Sequence, residues 1–192
     1  VAARDPNPLV AGRGLRRLRS AGIEVVTDVL RDEAAEVLAP FFTCMVDHRP
    51  YVIAKWAQSL DGKLVTRAGQ SKWISGEASR SEVHKLRARV DAVLVGAGTV
   101  LCDDPQLTAR GVRVRRVATG VVLDGRLRIS ERSHLVRSAK KIPVLVFTTS
   151  ASSAGRKAER LRRAGVEIVP VPAARSGLNL DRILADLAAR GV

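Results

Sequence analysis

Aromatic residues are scarce: three phenylalanines, two tryptophans and one tyrosine make up 3% of the 192 residues. That leaves little material for the stacking platforms on which single-stranded nucleic acids are held. Cysteine is scarcer still. Cys44 and Cys102 stand far apart, with no CxxC and no Cys/His spacing, so neither a disulfide framework nor a metal site is legible. No apolar run approaches the roughly 18 residues of a membrane span. The opening VAARDPNPL lacks the basic-then-apolar pattern of a signal peptide, which points to the cytoplasm and to no membrane partner. Acidic residues are in deficit: 19 Asp and Glu face 33 Lys and Arg, for a net charge of +14. Such a field draws in anions, whether nucleic acid, a phosphorylated substrate or a phosphorylated cofactor. With few aromatics and no RNP, KH or zinc-finger signature, the small phosphorylated molecule is favoured over nucleic acid.

What is present is an ordinary globular composition, 46% apolar, in a length that suits one domain or slightly more. The run from Gly12 to Val26 reads as a short basic helix, a left-handed stop at Gly22, then a strand. ERLRRAGVEIV (159 to 169) repeats the pattern, and LAARGV (187 to 192) begins it again. No fixed period runs through the chain, so the likeness is the common helix–Gly–strand junction of α/β folds rather than a repeat architecture. Val37, Leu38, Phe41, Phe42 and Met45 lie on one helical face, with a break expected near Ala39 because Pro40 interrupts it. Residues 47 to 50 read as a linker. The absent initiator Met and the ending just after a helix-stop glycine both suggest cut termini.

From Tyr51 the pattern alternates strands with helices, as in a largely parallel sheet covered on both faces. Strands are expected at 51 to 57, 91 to 96 (fully buried), 117 to 124, 143 to 149 and 166 to 171. Helices are expected at 77 to 89, capped by Ser75, at 154 to 164, and at 180 to 190, capped by Asn179 or Asp181.

Four chemically loaded runs crowd between Pro50 and Arg110: SLDGK (59 to 63), GQSKWIS (69 to 75), VGAGT (95 to 99) and CDDPQLTAR (102 to 110). Each falls where a strand or helix ends, the usual position of binding groups. The GxG after a buried strand invites a dinucleotide-binding reading, but the third glycine position holds Leu101, and a lone GxG is more often a tight turn. Thr99 could still meet a phosphate or a carboxamide there. Asp103 and Asp104 are general acid/base candidates or plain turn formers, and with no third acidic or histidine ligand nearby they hold no metal. Arg87 and Arg110 are candidate anion anchors. Trp73 offers either a core residue or a flat wall for a ring. Lys55, in an otherwise apolar strand, needs a partner or a lowered pKa that suits proton transfer. His48, His84 and His134 form no recognisable pair and read as surface residues.

Residues 49 to 110 carry in order the elements SLDG, S-x-W-I, H-x-L-R, G-x-G-T-V-L and DDP-x-LT-x-R. Together these resemble the opening half of the reductase domain in the bifunctional riboflavin-biosynthesis deaminase/reductase family. Residues 4 to 45, with DPNPLVAGRG (5 to 14) and the Phe pair at 41 and 42, are similar to the closing part of that family's deaminase domain. The resemblance implies two parts: a remnant of a cytidine-deaminase-like α/β domain with its linker over 1 to 47, and an incomplete reductase domain over 48 to 192. The latter would have the dihydrofolate-reductase-like fold, with a largely parallel sheet and helices on both faces.

By the same resemblance, NADPH would reduce the ribose of a phosphorylated ribosylaminouracil to a ribityl chain. Ala57, Trp73, Thr99 and Asp103 would touch NADPH. Ser71, Arg87, Leu107 and Arg110 would hold the substrate, the arginines facing its phosphate. Lys55 is the first candidate for proton donor, and Asp103 would orient it or the sugar hydroxyls. The complete enzyme would be a homo-oligomer, dimer or tetramer. Three departures stand out. The deaminase zinc elements, an H-A-E run and a P-C with a second cysteine, are absent, which would leave zinc to a part outside this chain. The E-G-G strand end and glycine-rich phosphate loop that would follow are absent too, so activity and tight NADPH binding are not expected of the chain alone. Gly125 stands where many relatives have serine. Two other readings remain: a related reductase acting on the still-aminated pyrimidine or a folate-like substrate, and a basic nucleic-acid-binding protein.

Overall fold

The computed structural model describes every residue except Gln70, Ser71 and Ser176. The chain divides into two compact units, Val1–Ile53 with Leu184–Val192, and Ala54–Ile183.

The first unit is built on three short helices, α1 (Arg13–Ser20), α2 (Arg31–Val37) and α3 (Ala39–Asp47). After α1 the chain turns through Gly22 at φ 75°, while Ile23 N–H reaches back to the Leu18 carbonyl at 3.1 Å. This is the left-handed stop expected from the glycine, because a Cβ is disfavoured in that conformation. The strand expected next does not form. Residues 23 to 26 pair with no described strand, although the Val26 carbonyl accepts a hydrogen bond from the N-terminal ammonium at 2.8 Å. Pro40 sits in the first turn of α3, where its missing N–H costs nothing, and Leu38 separates the two helices. The break expected near Ala39 is thus explained. Phe41 and Phe42 meet edge to face, with ring centroids 6.3 Å apart.

The second unit holds a four-stranded parallel sheet of β1 (Ala92–Gly96), β2 (Thr119–Leu123), β3 (Val144–Thr149) and β4 (Glu167–Val171), in that spatial order. The strand runs are short, β-branched and apolar, as befits a sheet buried on two faces. The register sets Val122 beside Val146 and Ile168 on one face, and Leu123 beside Phe147 on the other. Val121 and Phe147 are as buried as Val122 and Val146, so both faces of the central strands are covered. Helix α4 (Glu77–Arg87) leads into β1, and α5 (Ala97–Asp103), α6 (His134–Ser138), α7 (Ser150–Ser153) and α8 (Arg156–Arg163) connect the strands. Leu135 and Val136 of α6, and Ala158 and Leu161 of α8, pack with Val122, Val144 and Val146 in one core. A two-residue antiparallel pair, β5 (Ala173–Ala174) and β6 (Gly177–Leu178), leads to α9 (Leu180–Ala189). Asn179 caps α9, its Oδ1 accepting from Arg182 N–H at 3.0 Å.

Three further expectations require correction. The apolar run 51 to 57 forms no strand and is largely exposed. Alternating side chains alone do not hold a strand, and no described strand pairs with it. β1 is an edge strand rather than a fully buried one, and Leu94 is 43% exposed. Gly76, not Ser75, occupies the cap of α4; Ser75 instead offers its carbonyl to Arg80 Nη1 at 2.6 Å.

Candidate functional site

The second unit gathers its chemistry on α4, α5 and the loop after α5. On α4, Arg80, His84 and Arg87 stand at i, i+4 and i+7, so they share one face of the helix. At the first turn of that face, the Arg80 guanidinium lies over the Trp73 ring, 4.4 Å from its centroid. Trp73 is 70% exposed, so it is not a core residue. It presents a ring surface, braced by a cation on one side. Lys72 reaches Asp103 at the end of α5, Nζ to Oδ1 at 3.6 Å.

β1 feeds directly into α5 through Gly96, the helix N-cap, and Gly98. A side chain added at either glycine would meet nothing within 4 Å, which leaves open space above the turn. Thr99 is exposed there. The turn after α5 is fixed by Asp104, in the left-handed conformation at φ 40°. Its carboxylate accepts from the His134 main-chain N–H at 2.8 Å and contacts His134 Nδ1 at 2.7 Å. The two adjacent aspartates therefore part company: Asp104 ties the loop to α6, and Asp103 faces Lys72.

The other end of α4 meets the loop that follows. Arg110 donates its main-chain N–H to His84 Nδ1 at 3.2 Å, and Arg87 Nη1 lies 3.5 Å from the Thr108 carbonyl. Burial, then the charge of Arg110, push the Arg87 guanidinium below the ordinary arginine range. Burial, then Arg110 and Arg87, likewise hold the His84 imidazole below its ordinary 6.5. Two guanidiniums and a neutral imidazole thus share one locus of positive potential, with no acidic partner among the described residues. An anion placed there would offset the charge repulsion that contributes to both shifts.

The structure joins the sequence candidates unevenly. Arg87 and Arg110 are brought together, as are Trp73 and Asp103 through neighbouring Lys72. Thr99 lies on α5 with Asp103. Ala57 is half-buried, and no described contact links it to this cluster. Lys55 is exposed in irregular chain, with no hydrogen-bond or ion-pair partner among the described residues, so the buried strand lysine expected from sequence is not found. Leu107 also differs from expectation. It adopts φ 56°, and its side chain is only 4% exposed within the core, so only its main chain could face a ligand. Ser71 lies outside the described residues. Sequence reading missed His84, taken for a surface residue, and Arg80. Their signals were the i, i+4, i+7 spacing with Arg87 and, for His84, its place in the H-x-L-R element.

These features define a parallel α/β domain with a glycine turn, an exposed ring and a cationic loop cluster. The family model of the RibD C-terminal domain matches residues 50–192, and the chain belongs to that family. It is 43% identical over 187 residues to the riboflavin biosynthesis protein RibD of Aquifex aeolicus, covering 97% of this chain and 50% of that protein. A crystal structure from Thermotoga maritima superposes with a TM-score of 0.81 at 35% identity, covering 100% of this chain and 50% of that one. That protein is a diaminohydroxyphosphoribosylaminopyrimidine deaminase/5-amino-6-(5-phosphoribosylamino)uracil reductase. RibD of Acinetobacter baumannii superposes with a TM-score of 0.79 at 33% identity, covering 100% of this chain and 51% of that one. The chain spans about half the length of the curated relatives it matches. The α/β architecture expected from sequence, a dihydrofolate-reductase-like parallel sheet with its helices, is the one these structures share.

Proposed function

We propose that this chain is the reductase portion of a bifunctional riboflavin-biosynthesis enzyme. In this reading it takes 5-amino-6-(5-phosphoribosylamino)uracil and NADPH and gives the ribitylamino product. The observation that carries the reading is the pairing of Arg87 with Arg110 beside His84, a cationic locus suited to a sugar phosphate, inside the segment matched to the family. The complete protein would also deaminate the diaminopyrimidine precursor, with zinc held in its deaminase part, and would work as a homo-oligomer in the cytoplasm. Residues 1 to 47 would be the end of that deaminase part, and 48 to 192 the start of the reductase. The family match beginning at residue 50 supports this boundary, whereas the compact-unit division falls at Ile53 and groups Leu184–Val192 with the first unit.

The residues present fit NADPH in two respects: the Trp73 ring is exposed beside a cation, and the space above Gly96 and Gly98 is open. Ala57, Trp73, Thr99 and Asp103 would hold it. When bound, NADPH supplies the hydride that reaches the sugar carbon C1′. Arg87, Arg110, the Leu107 main chain and Ser71 would hold the substrate by its phosphate and sugar. This uses binding energy remote from the reacting carbon to orient it. The sugar ring oxygen must gain a proton as the ring opens, and Lys55, an exposed ammonium, is the proposed donor. Asp103, paired with Lys72, would orient the sugar hydroxyls.

The test is substrate-dependent oxidation of NADPH by the longer protein of which this chain would be a part. Arg87→Met and Arg110→Met should each raise KM by about tenfold or more, since each removes a charge-assisted contact. Lys55→Met should lower kcat steeply with little change in KM. NADPH oxidation indifferent to the pyrimidine substrate, or to all three substitutions, would overturn the reading.

A further inference from the structure

His84 is the one histidine whose ring faces the cationic cluster, and its contacts are specific. Nδ1 accepts the main-chain N–H of Arg110 across 26 positions of sequence. A ring nitrogen that accepts is unprotonated, so the neutral imidazole must carry its proton on Nε2. The charged groups acting on it are Arg87, one turn along α4, and Arg110, from the facing loop; both oppose a second proton. That Nδ1 bond crosses from helix to loop, fixing the loop main chain to the same face of α4 that carries Arg87. The loop otherwise bends through the left-handed Leu107 and then Gly111 at φ 67°, and Arg110 itself is exposed. Without the imidazole, the main chain of Arg110 would lose its tie to α4.

We infer that His84 is a positioning residue of the anion site: its Nδ1 holds the Arg110 main chain so that the guanidiniums of Arg110 and Arg87 address one phosphate group. The inference rests on the reading of Arg87 and Arg110 as the substrate-phosphate anchors, and it assigns His84 a role that neither arginine supplies. A dianion between the guanidiniums would also remove the two positive charges' opposition to protonating the ring. Anion binding should then draw a proton onto His84 in the weakly acidic range, breaking the Nδ1 acceptor bond only once the anion itself holds Arg110 in place.

The experiment uses this chain, ribose 5-phosphate for affinity and sulfate for the pH series. Sulfate stays doubly ionised throughout, so any pH dependence belongs to the protein. His84→Asn places Oδ1 near the position of Nδ1 and should bind ribose 5-phosphate within about threefold of the unsubstituted chain. His84→Gln keeps size and polarity but misplaces the acceptor, and should bind about tenfold more weakly, the equivalent of one ordinary hydrogen bond. Histidine ring NMR should show the His84 pKa rising when sulfate is added. Sulfate affinity should strengthen as pH falls in the unsubstituted chain and lose that dependence in His84→Asn. Equal affinity of the Asn and Gln variants and the unsubstituted chain, with Arg87→Met defective, would overturn the role of His84 alone. Should Arg87→Met and Arg110→Met bind as the unsubstituted chain does, the phosphate-site reading falls, and the role of His84 with it.

Discussion

A buried carboxylate shows how much a single side chain can organise. Asp124 follows β2 directly and is 1% exposed; its Oδ2 accepts the Ile129 N–H at 2.8 Å, while Oδ1 has no hydrogen bond and lies 3.8 Å from Arg128 Nε. The next residue is equally engaged: the Gly125 carbonyl collects the hydroxyls of Thr148 at 3.2 Å, Thr149 at 3.0 Å and Ser152 at 3.0 Å. Together they fix the turn at the end of the strand. Asp124→Ala would leave the Ile129 N–H buried without an acceptor, at a cost of about 1–3 kcal/mol. Asp124→Asn keeps an oxygen for that N–H and should cost less. Urea unfolding should show the midpoint falling in that order; equal midpoints would mean the contact contributes nothing.

His84 adds a pH dependence of a defined sign. Its folded pKa lies below the ordinary 6.5, so as pH falls through that value the unfolded chain takes up a proton that the folded chain resists. Acidification through the weakly acidic range should therefore lower stability until the folded pKa is also passed. Sulfate, by easing protonation in the folded state, should blunt this loss, and thermal melts at several pH values with and without sulfate would check it. None of this was legible from a lone histidine in sequence. The partner of His84 lies 26 residues away, and spacing on one helix says nothing of a loop that returns to it. The arginines were legible, because a charged pair in a motif announces anion chemistry without needing geometry. Leu107 was misread for the opposite reason, since a motif position does not reveal whether its side chain or its main chain faces the ligand.

At the scale of elements, β2, β3 and β4 were readable because buried parallel strands are short apolar runs bounded by turn residues. The run 51 to 57 has the same composition but no partner among the described strands, and pairing is a property of two segments rather than one. The short helices α6 and α7 escaped notice because four or five residues do not display a period. Junctions were more legible than strands. Gly165, after α8, has φ 99°, and an added Cβ would lie 3.0 Å from the Lys140 nitrogen and 3.1 Å from the Ala139 carbonyl carbon. Gly62 has φ 78° but open space around it. Gly62→Ala should cost only the backbone penalty, about 1 kcal/mol, whereas Gly165→Ala adds a clash with main chain that cannot swing away and should cost about 2 kcal/mol or more. Comparing the two melting temperatures separates conformational preference from crowding.

The whole molecule carries +14, yet the described ion pairs are mostly exposed, such as Lys85 with Glu82 at 2.6 Å and Arg160 with Glu131 at 2.6 Å. Such pairs contribute little to stability, and the surplus of positive charge remains available to passing anions. A field of this kind would bind RNA weakly and without preference, so RNA binding at low salt is expected and does not decide what the protein does. Salt dependence does decide. A strand neutralised at about six phosphates releases its counterions and should lose about two to three decades of affinity between about 50 and 200 mM KCl. Ribose 5-phosphate seated between Arg87 and Arg110 releases no such atmosphere and should weaken by less than about tenfold over the same range, because the half-buried Arg87 is screened less than exposed charges. Arg87→Met should weaken the sugar-phosphate binding by about tenfold or more and leave the RNA curve unmoved, since it removes one charge of many from the field but half of the local pair. Parallel titrations of both ligands, by polarisation for a labelled RNA and by calorimetry for the sugar phosphate, would show which kind of partner the charge serves. A shallow salt slope for RNA together with its loss in Arg87→Met would make nucleic acid the specific ligand.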